Sequence, residues 1–286
     1  MQIFIDTADL DEIREAYSWG IVDGVTTNPS LIKKAVDRRP GLSMRDYIRD
    51  ICRSVEGPVS LEVKGVSTEQ MVQEAEMLYE RFNPVNGNVV VKVPVCTAME
   101  DGQPLFEGIR AIKTLEGRGI PTNATLVMTA EQALMAAKAG ATYASPFLGR
   151  VDDYLRTKLD IAFDKSDYYD PLCARHLEEQ TWEEEASGAE LYDRLMRSDI
   201  SDNGIYSGVD LVDSIVTIYD AYGFDTQVIA ASVRNARQAR EVAEMGVDIA
   251  TLPFEVIREM LTHPKTLEGM QLFTRDVVPE YEELFE

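Results

Sequence analysis

Short apolar segments rich in β-branched residues recur eight times along the chain, and this alternation limits the folds open to it. The predicted strands are QIFID (2–6), VDGVTT (22–27), VSLEVK (59–64), NVVVKVP (88–94), PTNATLV (121–127), ATYASPF (141–147), TQVIAAS (226–232) and VDIATLP (247–253). Amphipathic stretches such as 67–82, 129–140 and 232–246 lie between most of them and predict helices. Strands that alternate with helices form βαβ units with a parallel sheet. The sequence therefore predicts an α/β protein, a single-domain (β/α)8 TIM barrel over residues 1–286, with a doubly wound sheet as the alternative.

One long interval interrupts this alternation. Residues 153–207 follow the sixth predicted strand, carry no strand pattern, look partly helical and include an acidic run at 176–196. One interpretation is a solvated helical insertion within the barrel domain. The other is a lid or a subunit contact, because the loops that follow barrel strands lie on the active-site side.

Charge and cysteine content limit the partners of the chain. The formal net charge is -22 over 286 residues, and such a surface repels nucleic acid and anionic lipid. No apolar run approaches the roughly 18 residues of a membrane-spanning helix. The cysteines, Cys52, Cys96 and Cys173, are scattered and fit reduced thiols better than a disulfide framework or a zinc site. We therefore expect a cytoplasmic protein with no nucleic-acid or membrane partner.

Polar side chains stand at or near the carboxyl ends of seven predicted strands. TIM barrels build their active sites at those ends, so these side chains should converge on one mouth. The eighth strand ends in TLP and contributes little polar character. The polar residues are Asp6, Thr26, Thr27, Asn28, Glu62, Lys64, Lys92, Asn123, Thr125, Ser145, Arg150, Ser232 and Arg234.

Lys92 is the most unusual of these residues, because it interrupts a run of valines. Lysine is rarely buried without a partner, so Lys92 either reaches water at a strand end or occupies a dry reactive site. The chain has neither a Walker phosphate loop nor a dinucleotide fingerprint, and His176 and His263 do not end strands. A neutral lysine amine can attack a ketone to form a Schiff base. An acid–base residue such as Asp6 can then assist carbon–carbon cleavage while arginines hold a phosphate.

Several of these residues also have an ordinary structural interpretation. Asp6 can cap a helix, and Asn28 before Pro29 can make a turn. Thr125 can be a core hydroxyl with a satisfied hydrogen bond. Arg150 and Arg234 can pair with nearby carboxylates, which are abundant in this chain.

Six motifs in the chain resemble the transaldolases and their small relatives, the fructose-6-phosphate aldolases. They are FIDTAD (4–9), GVTTNPSLI (24–32), VVVKVP (89–94), EGIRAIKTLEGRGIPTNAT (107–125), SPFLGR (145–150) and AASVRN (230–235). They span the chain except for 153–207 and follow the family's order. The resemblance implies a (β/α)8 barrel with a Schiff-base lysine and no metal or other cofactor. It also implies transfer of a three-carbon dihydroxyacetone unit between sugar phosphates in the pentose phosphate pathway.

The resemblance assigns a role to each matching position. Lys92 would form the Schiff base, Asp6 would exchange the proton of the cleaved hydroxyl, and Glu62 with Thr125 would position a proton-shuttling water. The residues that would hold the hydroxyls of the three-carbon unit are Asn28, Asn123 and Ser145. The residues that would bind the phosphate are Arg150, Ser232 and Arg234.

Two positions separate the branches of this family. The aldolase branch has tyrosine where this chain has Phe147 and glutamine where it has Glu62. The tyrosine is thought to help water protonate the enamine, so Phe147, in the substrate site, favours transfer to an aldehyde acceptor. The alternative is an aldolase that releases dihydroxyacetone. A sugar-phosphate binding protein and a Schiff-base enzyme with another substrate also remain open.

The chain departs from the family pattern in two places. The link VCTAMEDGQPLFEGI (95–109) and the 153–207 insertion are both longer than expected and both lie on the catalytic side, so the acceptor sugar can differ. The small relatives form rings through a C-terminal helix, and 267–286 is the matching segment here. A homo-oligomer is therefore predicted, although the apolar residues of that segment can instead pack on their own barrel.

Overall fold

A computed structural model of the chain describes residues 1–39, 41, 43–173, 187, 203–276, 278, 281 and 283–285. Eight parallel strands pair in chain order and close into a barrel, with the first strand next to the eighth. The predicted TIM barrel is confirmed. The strands are β1 (Gln2–Asp6), β2 (Gly24–Thr26), β3 (Val59–Glu62), β4 (Val89–Pro94), β5 (Thr122–Val127), β6 (Tyr143–Pro146), β7 (Gln227–Ala230) and β8 (Ile249–Leu252).

Helices connect the strands and form the outer layer. The described helices are α1 (Leu10–Ser18), α2 (Pro29–Asp37), α3 (Met44–Ser54), α4 (Thr68–Asn86), α5 (Glu107–Glu116), α6 (Ala130–Ala139), α7 (Leu148–Lys158), α8 (Gly208–Tyr222), α9 (Ala236–Glu244), α10 (Phe254–Leu261) and α11 (Pro264–Arg275). Residues Glu283–Phe285 form a short 3-10 helix. None of the helices in the described part of the chain is both long and apolar enough to cross a membrane.

Local sequence signals explain where the predicted helices begin and end. In α6, Thr129 and Gln132 form a capping box, and Gly140 ends the helix with φ 90°, a left-handed conformation that glycine adopts without strain. Helix α4 also begins with a capping box, at Ser67. It continues past the predicted end at 82 to Asn86 and contains Pro84. Helix α9 begins at Ala236, so the first residues of the predicted 232–246 helix belong to a loop.

The strand register brings the predicted polar residues to one level of the barrel. Lys92 on β4 is in register with Glu62 on β3 and with Asn123 on β5. Asp6 on β1 is in register with Thr26 on β2. Side chains in register on neighbouring strands face the same way, so these groups point together into the barrel.

The predicted insertion at 153–207 is only partly described. Its first residues continue α7, which ends at Lys158. Residues 159–170 form a loop, and residues 171–173 are helical. Apart from Ser187, residues 174–202 lie outside the described residues. The boundaries of the insertion therefore stay a prediction.

The C-terminal helix differs from the predicted span of 267–286. Helix α11 begins at Pro264, which fits the first helical turn because it needs no backbone donor, and it ends at Arg275. None of its residues is buried, and the side chains of Leu267, Met270 and Phe273 are exposed. The alternative that these apolar residues pack on their own barrel is therefore wrong.

Candidate active site

A cavity of about 450 Å³ opens at the carboxyl ends of the strands. This volume lies within the range of roughly 300–1,000 Å³ that is usual for small-molecule sites. Its lining includes eight of the residues predicted for the site: Asp6, Asn28, Lys92, Ser145, Phe147, Arg150, Ser232 and Arg234. The other three, Glu62, Asn123 and Thr125, do not line it: Glu62 contacts Lys92, Asn123 contacts Ser145, and Thr125 lies two residues beyond Asn123 on β5, in register with Pro94.

Lys92 is buried at the base of this cavity. Only 6% of the residue is exposed, so the interpretation that its head group reaches bulk water is wrong. Its Nζ lies 3.3 Å from Glu62 Oε2 and 3.5 Å from the carbonyl oxygen of Thr27. The ring of Phe147 covers another side, with its centroid 5.7 Å from Nζ. The amine is therefore held between an acceptor carboxylate and an aromatic wall.

Asp6 stands in the same cavity and has an unusual environment for a carboxylate. Burial raises the pKa of its carboxyl above 3.8, while the Lys92 charge and a hydrogen bond from Thr26 act in the opposite direction. Thr26 Oγ1 donates to Asp6 Oδ1 at 2.8 Å. The alternative role of Asp6 as a helix cap is wrong, because Asp9 caps α1. Asp6 is thus available to exchange a proton with a ligand in the cavity.

Amide and hydroxyl groups line the side between Lys92 and β6. Ser145 Oγ donates to Asn123 Oδ1 at 2.7 Å, and Asn123 Nδ2 donates to Ser60 Oγ at 3.3 Å. Thr125 Oγ1 is buried and has no hydrogen-bond partner among the described residues, so it is not a satisfied core hydroxyl. Asn28 caps α2 by accepting from Leu31 N, and it also lines the cavity.

Two arginines also line the cavity. Arg150 stacks on Phe147, with 5.0 Å between its Cζ and the ring centroid, and it has no carboxylate partner in the described ranges. Arg234 pairs with Asp153 at 3.0 Å, as expected from the alternative in which it binds a nearby carboxylate. Its buried Nε has no partner within the described chain. The backbone of Gly149 lies against Ser232 and Arg234 so closely that a Cβ atom would overlap both.

Two residues near the cavity have a left-handed backbone without being glycine. Leu126 has φ 58° and stands where the β5–β6 register shifts, one residue after Thr125. Ser232 has φ 59° in the loop after β7. Such strain persists only where surrounding contacts impose it, and it is typical of functional sites.

Two polar lining residues carry no sequence prediction, and two further polar residues at strand ends, Lys64 and Thr27, lie outside the cavity lining. Thr251 on β8 lines the cavity, and its Oγ1 is 2.5 Å from Thr26 Oγ1, so the expectation of little polar character there was wrong. No alternating pattern in β8 marks this residue, because all four strand residues are buried. Lys165 also lines the cavity from the insertion, where no pattern marks it. Lys64 is exposed beyond β3, and Thr27 instead donates to Ser60 O.

This arrangement can carry out amine–carbonyl chemistry on an anionic substrate. A buried primary amine has a proton acceptor in contact, and a second carboxylate faces the same space. Polar groups are available for substrate hydroxyls, and Arg150 and Arg234 line the same cavity. The charged residues of the lining are Asp6, Lys92, Arg150, Lys165 and Arg234, a positive excess within a strongly acidic chain.

Sequence comparison with known proteins identifies the family of this chain. A sequence model of the transaldolase/fructose-6-phosphate aldolase family matches residues 3–286. A probable transaldolase from Hydrogenobaculum sp. (strain Y04AAS1) is 40% identical over 276 residues, covering 96% of each chain. Probable transaldolases from Kosmotoga olearia and Clostridium tetani are 39% and 37% identical over 276 residues, covering 96% of this chain and 95% and 97% of theirs. The chain belongs to the transaldolase/fructose-6-phosphate aldolase family.

Proposed function

We propose that the chain is a transaldolase, which moves a dihydroxyacetone unit from a ketose phosphate to an aldose phosphate through a Schiff base on Lys92. The observation that carries this proposal is the contact between buried Lys92 and Glu62 in a cavity that two arginines also line. The names of the similar proteins support the same activity.

In the first step the Lys92 amine adds to the ketone carbon of the donor. Glu62, 3.3 Å from Nζ, can take up a proton from the amine and return it to the leaving hydroxyl. A water held by Glu62 and the unpaired Thr125 hydroxyl can relay this proton. Loss of one water molecule gives the iminium ion.

Asp6 acts in the carbon–carbon cleavage. Its carboxylate accepts the proton of the β-hydroxyl, the electron pair of the breaking bond moves to the iminium nitrogen, and an aldose phosphate leaves. The enamine then attacks the aldehyde carbon of the acceptor, and Asp6 returns the proton to the new hydroxyl. Hydrolysis of the imine releases the new ketose phosphate and restores Lys92.

The fate of the enamine distinguishes a transferase from an aldolase. Phe147 covers Lys92 with an aromatic ring that has no hydroxyl group. Without a donor beside the enamine, water protonates it slowly, and the three-carbon unit waits for an acceptor. The aldolase that releases dihydroxyacetone is the second candidate, and the Phe147 side chain argues against it.

Phe147→Tyr should raise acceptor-free release of dihydroxyacetone from fructose 6-phosphate by roughly a hundredfold, the low end of what a positioned proton donor contributes. A coupled assay with and without an aldehyde acceptor measures this release. Phe147→Leu removes the ring without adding a hydroxyl and should give no such increase. Rapid donor cleavage by the unaltered chain without acceptor would instead identify an aldolase.

The substrates that we propose are sugar phosphates, and the compartment is the cytoplasm. Arg150, Ser232 and Arg234 would hold the phosphate, while Asn28, Asn123 and Ser145 would hold hydroxyls of the three-carbon unit. The positive lining supports this proposal, because the net charge of -22 would otherwise repel a phosphate.

We also propose that the chain forms a homo-oligomer in which α11 of one subunit contacts a second copy. An unburied helix with an apolar face is costly to leave in water, and the chain has an apolar groove of about 730 Å³ beside α10. The groove residues are Ile3, Trp19, Ile21, Ile257, Met260 and Leu261.

Phe273→Glu should weaken self-association by about a hundredfold, as expected for loss of an aromatic anchor at an interface. Sedimentation velocity at micromolar concentration should then show a shift towards the monomer mass. Lys265→Glu, which introduces the same side chain in the first turn of α11, should leave the mass unchanged. A monomeric unaltered chain would contradict this proposal.

A further inference from the structure

We propose that Lys165, in the loop of residues 161–170, is a third cation of the anion-binding end and a specificity determinant for phosphorylated sugars. The loop lies outside the six sequence motifs on which the site assignments rest. The inference rests on the proposed function, because the anion that it names is the phosphate monoester of the sugar substrate.

Arg156 holds the base of the loop. Its guanidinium, on a residue only 3% exposed, donates to the carbonyl oxygens of Asp164 and Asp167 at 3.5 and 3.1 Å. It also stacks on Phe163, with 4.3 Å between Cζ and the ring centroid. An arginine that is enclosed in this way fixes the backbone on both sides of Lys165.

Contacts with α9 fix the outer side of the loop. Asn235 Nδ2 donates to Ser166 O at 3.1 Å, while the Asn235 side chain also caps α9. Tyr168 OH donates to Glu241 at 3.0 Å, and its ring stacks under Arg237. The hydrogen bond between Asn235 and Ser166 holds together the residues that follow Arg234 and Lys165, and both cations line the cavity.

The charge environment of Lys165 favours an anionic ligand. Its side chain lines the cavity together with Arg150 and Arg234, and no ion-pair partner is found for it within the described residues. Asp153 already occupies one side of Arg234 and offsets part of its charge. A further cation at this end therefore raises the local attraction for phosphate in a chain of net charge -22.

The test measures binding of glycerol 3-phosphate by calorimetry. This phosphate monoester has no carbonyl group, so binding does not depend on Schiff-base formation and is separable from failure of the Lys92 chemistry. Lys165→Met should weaken binding by about tenfold, the scale of one lost hydrogen bond to a charged group. Lys165→Arg should retain most of the affinity, and Arg234→Ala should lose at least as much as Lys165→Met.

Lys138→Met is the matched control, because it removes the same charge from an exposed position in the last turn of α6, at the opposite end of the barrel. It should leave glycerol 3-phosphate binding unchanged. In transfer assays, Lys165→Met should raise KM for both aldehydes by different factors. The factor for glyceraldehyde 3-phosphate should be about ten times the factor for glyceraldehyde. Equal binding by Lys165→Met and Lys138→Met, or equal losses with both aldehydes, would overturn the proposal.

Discussion

Lys92→Met should abolish dihydroxyacetone transfer, with a loss of at least about 10⁴-fold, the scale seen when the nucleophile of a covalent mechanism is removed. Methionine fills the same buried space without an amine, so neither imine nor enamine can form. Transfer from fructose 6-phosphate to an aldehyde acceptor in a coupled assay measures the loss. Lys138→Met, which removes the same charge from an exposed helix position, should keep full activity.

The fold should survive the Lys92→Met substitution. An apolar side chain at 92 suits its valine neighbours, and Glu62, which loses its cationic partner, keeps 17% of its side chain exposed. A thermal melt within a few degrees of the unaltered chain would separate loss of chemistry from loss of structure. Transfer activity that remains near normal in Lys92→Met would refute a covalent role for this residue.

Asp6→Asn should lower kcat for transfer by roughly 10²–10⁴-fold, the usual contribution of a general acid–base residue. The asparagine oxygen can still accept the hydrogen bond from Thr26 that is 2.8 Å long in the unaltered chain, so the local geometry should persist. Imine formation with dihydroxyacetone requires no carbon–carbon cleavage and should continue in this variant. Borohydride reduction of that imine measures imine formation, and turnover measures the whole transfer. Together they distinguish a defect in imine formation from a defect in carbon–carbon cleavage.

The pH profile provides a second measure of Asp6. The carboxylate must be ionised to accept the hydroxyl proton, and burial raises its pKa above the ordinary value of 3.8. The rate should therefore begin to fall at a higher pH than an exposed aspartate would give, and Asp6→Asn should lack this acidic limb. An unchanged kcat and profile in Asp6→Asn would assign the proton transfer to another group.

The barrel was predictable from sequence because its strands and helices carry strong local patterns. The valines of β4 and the capping box of α6 each determine their element with little help from distant residues. The convergence of the polar side chains could be predicted from their positions at the strand ends, because the parallel strands of a barrel all end at one carboxyl edge. Lys92 and Asp6 could therefore be placed together although they are far apart in the chain.

The features that the sequence did not reveal depend on tertiary contacts. Lys165 reaches the cavity because Arg156 and Asn235 hold its loop, and neither contact has a local pattern. Thr251 was overlooked because a single threonine in a strand has no distinctive neighbours. Helix α11 starts earlier than predicted, and its packing cannot be inferred from an apolar pattern that suits its own barrel and a second copy equally well.

The most direct test of the account is borohydride reduction in the presence of fructose 6-phosphate, followed by peptide mass spectrometry. We expect a reduced ketose-derived adduct on Lys92, from the imine of the intact donor or of its three-carbon unit, and no adduct in Lys92→Met. A protein that only binds sugar phosphates would form no adduct. An adduct on a different lysine, or none in the unaltered chain, would contradict the proposal that Lys92 carries the substrate covalently.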